Sequence, residues 1–197
     1  MAVFNEPQHK EAQHREAQQD ASVKVVVKVR QSPAHQRQEV AESFKKGFEE
    51  LQKDRKTPAF AGLVGDLYRL EAEEEKRENH KEAACKAYGN AANMFEIEAD
   101  LAAGTKSDVK YNVIAARRRA ILMYAAAADI AYDIAEYGEA YEAYGKAASL
   151  SSKVAASYDR LVPKDPEFAK QSDIYHKYAD EMRLKSEAAK AEIIRYS

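Results

Sequence analysis

Through most of the chain apolar residues recur three and four positions apart, the spacing that brings side chains onto one face of an α-helix. Val40, Phe44, Phe48 and Leu51 form the first such stripe, which should end before Pro58. From Ala59 a second helix carries Phe60, Leu63, Leu67 and Leu70, then runs into the charged stretch "EAEEEKREN", read as a solvated helix end. Asn79 and His80 mark a corner. A third helix, about Lys81 to Ala103, presents Ala84, Tyr88, Ala91 and Phe95, and Gly104 stops it. Thr105, Ser107 or Asp108 caps a fourth, running to about Tyr137 through Val109, Val113, Ala116, Tyr124, Ala128 and Ala131, with Gly138 as the turn. The fifth, about Glu139 to Leu161, carries Ala140, Tyr144, Ala147, Ser151, Val154 and Tyr158. "VPKDPEF" breaks it, with Asp165 as N-cap and Pro166 at the first helical position, and the sixth holds Phe168, Tyr175, Tyr178, Met182, Ala189 and Ile193.

Ahead of this pattern lies a stretch of different character. Residues 5–21 have alanine as their only apolar type, so they offer no face to bury and read as a solvated helix or a disordered arm. In residues 22–30, Val23, Val25, Val27 and Val29 alternate with Lys24, Val26, Lys28 and Arg30, the one strand signal in the chain. A lone strand must find backbone partners in another copy or another protein, unless the segment is only an extended lead-in. The expected organisation is an N-terminal arm, residues 1–33, and an all-α domain of antiparallel helical hairpins, residues 34–197, with about five or six helices in an array or bundle.

Within the helices one phrase occurs twice: "AYG", then a polar residue, then "AA". Ala84, Tyr88 and Ala91 share a face, as do Ala140, Tyr144 and Ala147. Small residues beside a large one let neighbouring helices approach closely at interior density, so the echo predicts architecture. The pattern of alanine, an aromatic four residues on, and alanine resembles the second helix of a tetratricopeptide repeat; Tyr124 and Tyr137 stand where that family places further aromatics. The match runs over about Ile121 to Ser152 and partly over Ala84 to Phe95. Tyr88 and Tyr144 are 56 residues apart rather than the family's ~34; Ala128 and Ala131 replace its glycine and tyrosine, and Ser152 its closing proline. The longer hairpins also look like those of soluble NSF attachment proteins and of microtubule-interacting-and-transport domains. These resemblances imply a non-catalytic helical surface that docks a peptide, helix or partner protein between hairpins.

Composition agrees: 7 Gly and 5 Pro in 197 residues leave room for long helices with short connections. With 31 Lys and Arg against 33 Asp and Glu, no global field draws the chain to nucleic acid or anionic lipid. The single cysteine, Cys85, excludes an internal disulfide and fits a reducing compartment, and no run of about 18 apolar residues or secretory leader is present, so a cytoplasmic protein without a membrane span is expected. No glycine-rich phosphate loop occurs. Asp173-x-x-His176, with Asp180 a turn on, is the nearest approach to a metal motif, and it reads as surface ion pairing; no catalytic, cofactor-binding or metal-binding residue is assigned. Arg117 to Arg119 fan too widely to form one stripe, whereas Lys106, Lys110 and Arg117 come nearer to sharing a face. The expected function is a scaffold or adaptor docking a partner in a groove formed by helices three to five, with Tyr137, Tyr141, Lys106, Lys110 and Arg117 as candidate contacts. The alternatives are a self-assembling subunit of a filament, shell or nucleocapsid, joined through Val23, Val25, Val27 and Val29, and nucleic-acid binding through the basic arm and the Arg117 region.

Overall fold

The computed structural model describes residues 33–51, 56–104 and 109–196, the side chains of 109–111 aside. The valine segment, Lys106 and the side chain of Lys110 therefore lie outside the described residues. Six helices and no strand occur among those described: α1 (Pro33–Glu50), α2 (Pro58–Arg77), α3 (Lys81–Ala103), α4 (Val109–Asp133), α5 (Tyr137–Asp159) and α6 (Glu167–Tyr196).

Local chemistry sets the helix ends. Thr57 caps α2, its hydroxyl accepting from Phe60 N at 3.2 Å, and Pro58 occupies the first turn, where its missing N–H costs nothing. At the start of α6, Asp165 Oδ1 accepts from Glu167 N at 2.9 Å, as the sequence led one to expect. The corner after α2 is tight: Asn79 adopts φ 62°, its N–H bonds Lys76 O at 3.2 Å, and His80 N bonds Glu75 O at 2.8 Å. This paired arrangement around a left-handed residue satisfies carbonyls that the helix end would orphan. The corner after α4 repeats it 56 residues on. Ala135 takes φ 64°, with Ala135 N to Tyr132 O at 3.1 Å and Glu136 N to Ala131 O at 2.9 Å. The expected turn at Gly138 is thus displaced: α4 stops at Asp133, and Gly138 lies inside α5. A hydrogen-bonded corner reverses the chain at Ala135, so no glycine is needed there.

Packing is sequential, each helix lying mainly against the one before and the one after. Alternate helices also come within side-chain reach. The Arg119 guanidinium on α4 donates to Asp66 on α2 and Glu98 on α3, Cys85 on α3 approaches Glu139 on α5, and Lys185 on α6 donates to Asp129 on α4. Odd and even helices from α2 to α6 therefore form two staggered layers; the main core runs from Ala41 on α1 to Ala189 on α6, and a small separate cluster of Ala99, Ala102, Val113 and Ala116 joins α3 to α4.

The alanine and tyrosine echo sits in that core. Tyr88 and Tyr144 are 7% and 4% exposed, with Ala84, Ala91, Ala140 and Ala147 at 0%. Both knobs fill spaces that the alanines leave. Tyr144 donates to Asp129 Oδ1 at 2.5 Å, so its ring is buried while its hydroxyl reaches a carboxylate on α4.

The first two helices depart from the expected stripes. Val40, Phe44, Leu63 and Leu70 are exposed, while α1 buries Ala34, Ala41 and Phe48 and α2 buries Ala61, Gly62, Val64, Gly65, Tyr68 and Ala72. The inner face of α2 is the narrow one. A Cβ at Gly65 would stand 2.6 Å from the Phe95 ring, so only glycine lets the wholly buried Phe95 of α3 come so close. Close approach wins over leucine burial here.

Candidate docking groove

Because α3 and α5 stand side by side over α4, a groove opens between them, floored by α4. Its volume is about 500 Å³. From α3 come Glu82, Cys85, Lys86, Gly89 and Asn93, at the intervals of one helical face; from α5 and its cap come Glu136, Glu139, Glu142, Ala143 and Lys146; Tyr124, Ala127 and Ile134 complete the floor. Gly89 leaves open space, with nothing within 4 Å of where a Cβ would be. Gly145, its counterpart 56 residues on, lines a second hollow between α5 and α6. The recurring "AYG" therefore combines a buried knob with a neighbouring notch that keeps the surface hollow.

The charge state of the groove is uneven. Four carboxylates and two ammonium groups line it, and none of the four glutamates makes an ion pair among the described residues. Lys146 leans over the Tyr124 ring, its Nζ 5.1 Å from the centroid. The Tyr124 hydroxyl donates to Glu96 Oε2 at 2.6 Å and lies 2.5 Å from Asn93 Oδ1. Burial, and then the Glu96 carboxylate, hold its proton well above the usual phenol range. Cys85 donates to Ala127 O at 3.4 Å, and burial followed by the Glu139 and Glu136 carboxylates pushes its thiol up to about 11. It stays a neutral thiol near pH 7, poorly suited to act as a nucleophile.

A broader hollow of about 730 Å³ lies among α2, α3 and α4, with Arg118, Arg119 and Leu122 on its wall. Its cations are already engaged within the fold. Arg119 pairs with Glu98 and Asp66 and covers the Phe95 ring at 4.3 Å, and Arg118 lies 5.8 Å over the Tyr175 ring.

Of the residues singled out from sequence, Tyr141 lines the α5–α6 hollow with Gly145 and Arg183, while Tyr137 stacks on Tyr196 at 5.9 Å and meets Tyr132 edge-on. Arg117 is half-buried on α4. These three are not brought together in the α3–α5 groove. The glutamates that rim it were missed, although "EYGEAYE" places Glu136, Glu139 and Glu142 three residues apart, a spacing that keeps them along one side of a helix. His176 Nε2 lies 3.3 Å from Asp159 Oδ2 on α5, a carboxylate of the neighbouring helix and neither Asp173 nor Asp180 of its own. At the first corner, His80 Nδ1 lies 2.8 Å from Glu75 Oε2 and 3.6 Å from Glu78 Oε2, a cluster tying the turn to α2.

Among the described residues no helix is long and apolar enough to cross a membrane. Compared with known proteins, the chain matches no family model, no curated protein and no solved structure.

Proposed function

We propose that this protein is a non-catalytic helical interaction module, a scaffold or adaptor that docks a peptide or helix of a partner protein in the groove between α3 and α5. The observation that carries this reading is the groove itself, an elongated hollow held open by Gly89 and floored by the rigidly packed α4. Grooves between helices are a recurrent way to receive an amphipathic segment. The hairpins supply rigidity, because the buried Tyr88 of α3 lies beside Arg69 and Glu73 of α2 and the buried Tyr144 of α5 bonds Asp129 of α4, and a preformed hollow avoids the ordering cost of assembling one on binding. The tetratricopeptide-like character belongs to the same reading: a hairpin unit repeated at 56 residues, with helices of 20 to 25 residues in α2 to α5.

Site-specific photo-crosslinking tests this. A photoreactive side chain at Gly89 should capture a discrete protein partner in cells, and the same group at the exposed Asp173 on α6 should not. Equal labelling from both positions, or none from Gly89, would count against a docking role.

A further inference from the structure

We infer that the segment received by the α3–α5 groove is basic: a stretch of a partner protein with lysine or arginine clustered toward one end. This rests on the docking role argued above and adds the chemistry of the occupant.

Three features converge. First, Glu82, Glu136, Glu139 and Glu142 line one hollow and none makes an ion pair among the described residues, although Lys86 and Lys146 share it; single carboxylates such as Glu42, Glu167 and Asp173 are also without an ion pair there, but here four are gathered in one place. Unpaired like charges held close together are mutually repulsive, and an incoming cation relieves this. Helix polarity accounts for Glu82 and Glu139, each in a first turn, but not for Glu142 further along.

Second, the charges are graded along the groove. Four glutamates gather around the N-terminal ends of α3 and α5 with Lys86 as the one cation among them, while Asn93 and Lys146 lie toward the far end, so the glutamate end keeps an excess of negative charge. A segment entering with its basic residues at the glutamate end satisfies the gradient, and one entering the other way does not. From Glu82 to Asn93 the wall is about 16 Å long at ~1.5 Å per residue, which accommodates about three turns of helix.

Third, between the charges the lining is small or apolar. Gly89, Ala127 and Ala143 leave a channel in which the methylene stems of lysine or arginine can lie while their heads reach the carboxylates.

The test uses the full-length protein and a displayed library of random peptides of about twelve residues, long enough to span the groove as a helix. Selected peptides are screened again on Gly89→Trp, which fills the open space, with Gly89→Gln as a milder plug and circular dichroism to verify that both fold. Peptides whose capture depends on Gly89 should be rich in Lys and Arg. Their affinity should fall about tenfold on the combined change Glu136→Gln, Glu139→Gln and Glu142→Gln, fall again with added salt, and stay unchanged in a control carrying Glu167→Gln and Asp173→Asn. Gly89-dependent peptides without basic enrichment, or basic ones indifferent to the three glutamine changes, would overturn the basic assignment and leave the groove reading standing. Failure to recover any Gly89-dependent peptide would overturn both.

Discussion

The hairpins α2–α3 and α4–α5 share a corner, a buried tyrosine on the first helix at Tyr68 and Tyr124, and the alanine and tyrosine face on the second, yet they solve their interiors differently. In α4–α5 the interior positions are apolar and the tyrosine is satisfied: Ala127 and Ala131 face inward, and the Tyr124 hydroxyl has acceptors on α3. In α2–α3 the equivalent alanines are Glu71 and Glu75, both buried, and neither the Tyr68 hydroxyl nor Glu71 Oε2 has a hydrogen-bond partner among the described residues. The large and small partners are also exchanged. Gly65 faces Phe95 in the first hairpin, where Ile121 and Ser151 stand in the second. One backbone plan thus tolerates two interiors, and polar strain is concentrated in the first.

The largest expected effect comes from Glu71. Burial, then the Glu42 and Glu75 carboxylates, raise its pKa to about 7 against the opposing pull of Lys86. The unfolded chain releases this proton near the ordinary value of 4.5 and the folded chain holds it to about 7, so the folded state binds more protons in between. Stability should therefore fall as pH rises from about 4.5 to 7 and level off above, by at most about 3 kcal/mol. Glu71→Ala, which copies the second hairpin, should flatten this dependence and raise the urea midpoint at pH 8 relative to the parent; an unchanged slope between pH 5 and pH 8 would remove the carboxyl as its cause.

Gly65→Ala comes next. Its new methyl meets a ring with no room to move, so a loss of about 1–3 kcal/mol is expected by chemical denaturation. Gly89→Ala, on the open groove, should instead gain up to about 1 kcal/mol from helix propensity alone.

The two tyrosines sharpen the contrast further. Tyr124→Phe removes the donor that the Glu96 carboxylate and the Asn93 amide oxygen compete for and should cost about 1–2 kcal/mol, whereas Tyr68→Phe discards a hydroxyl that makes no well-formed hydrogen bond, although the Glu42 carboxylate stands near it, and should cost less or nothing. Parallel thermal melts of the pair would decide it: equal losses would mean that both hydroxyls are satisfied. Smallest is the corner. Ala135 holds a left-handed conformation that penalises its Cβ, so Ala135→Gly should gain about 0.5–1 kcal/mol, and Asn79→Gly less, because asparagine already tolerates that region.

Much of this fold was legible in the sequence. From α3 to α5 the alanine and tyrosine spacing named residues that are indeed buried, among them Tyr88, Phe95, Tyr124, Tyr144 and Val154, because those helices pack on both sides and periodicity then tracks burial directly. It misled in α1 and α2. There the large residues Val40, Phe44, Leu63 and Leu70 form a convincing stripe, but the helix spacing is set by the glycine and alanine face that admits Phe95. A ranking by hydrophobicity does not see the room that a missing side chain provides. The groove was legible only in part. The hairpin pattern pointed to helices three to five without saying which faces border a hollow, and the hollow's charge depends on Glu82 and Glu136 lining it from positions more than 50 residues apart, which no local spacing displays.

Sequential packing also bears on how the chain acquires its shape. Since nearly every extensive interface joins helices adjacent in the sequence, each new helix emerging from a ribosome finds its main docking surface already made, and little chain must be looped out first. Protection against amide hydrogen exchange should accordingly decline toward α1, which buries only three side chains and, among the described helices, packs extensively against α2 alone. Pulling on the termini should peel the array one rod at a time instead of rupturing it in a single event.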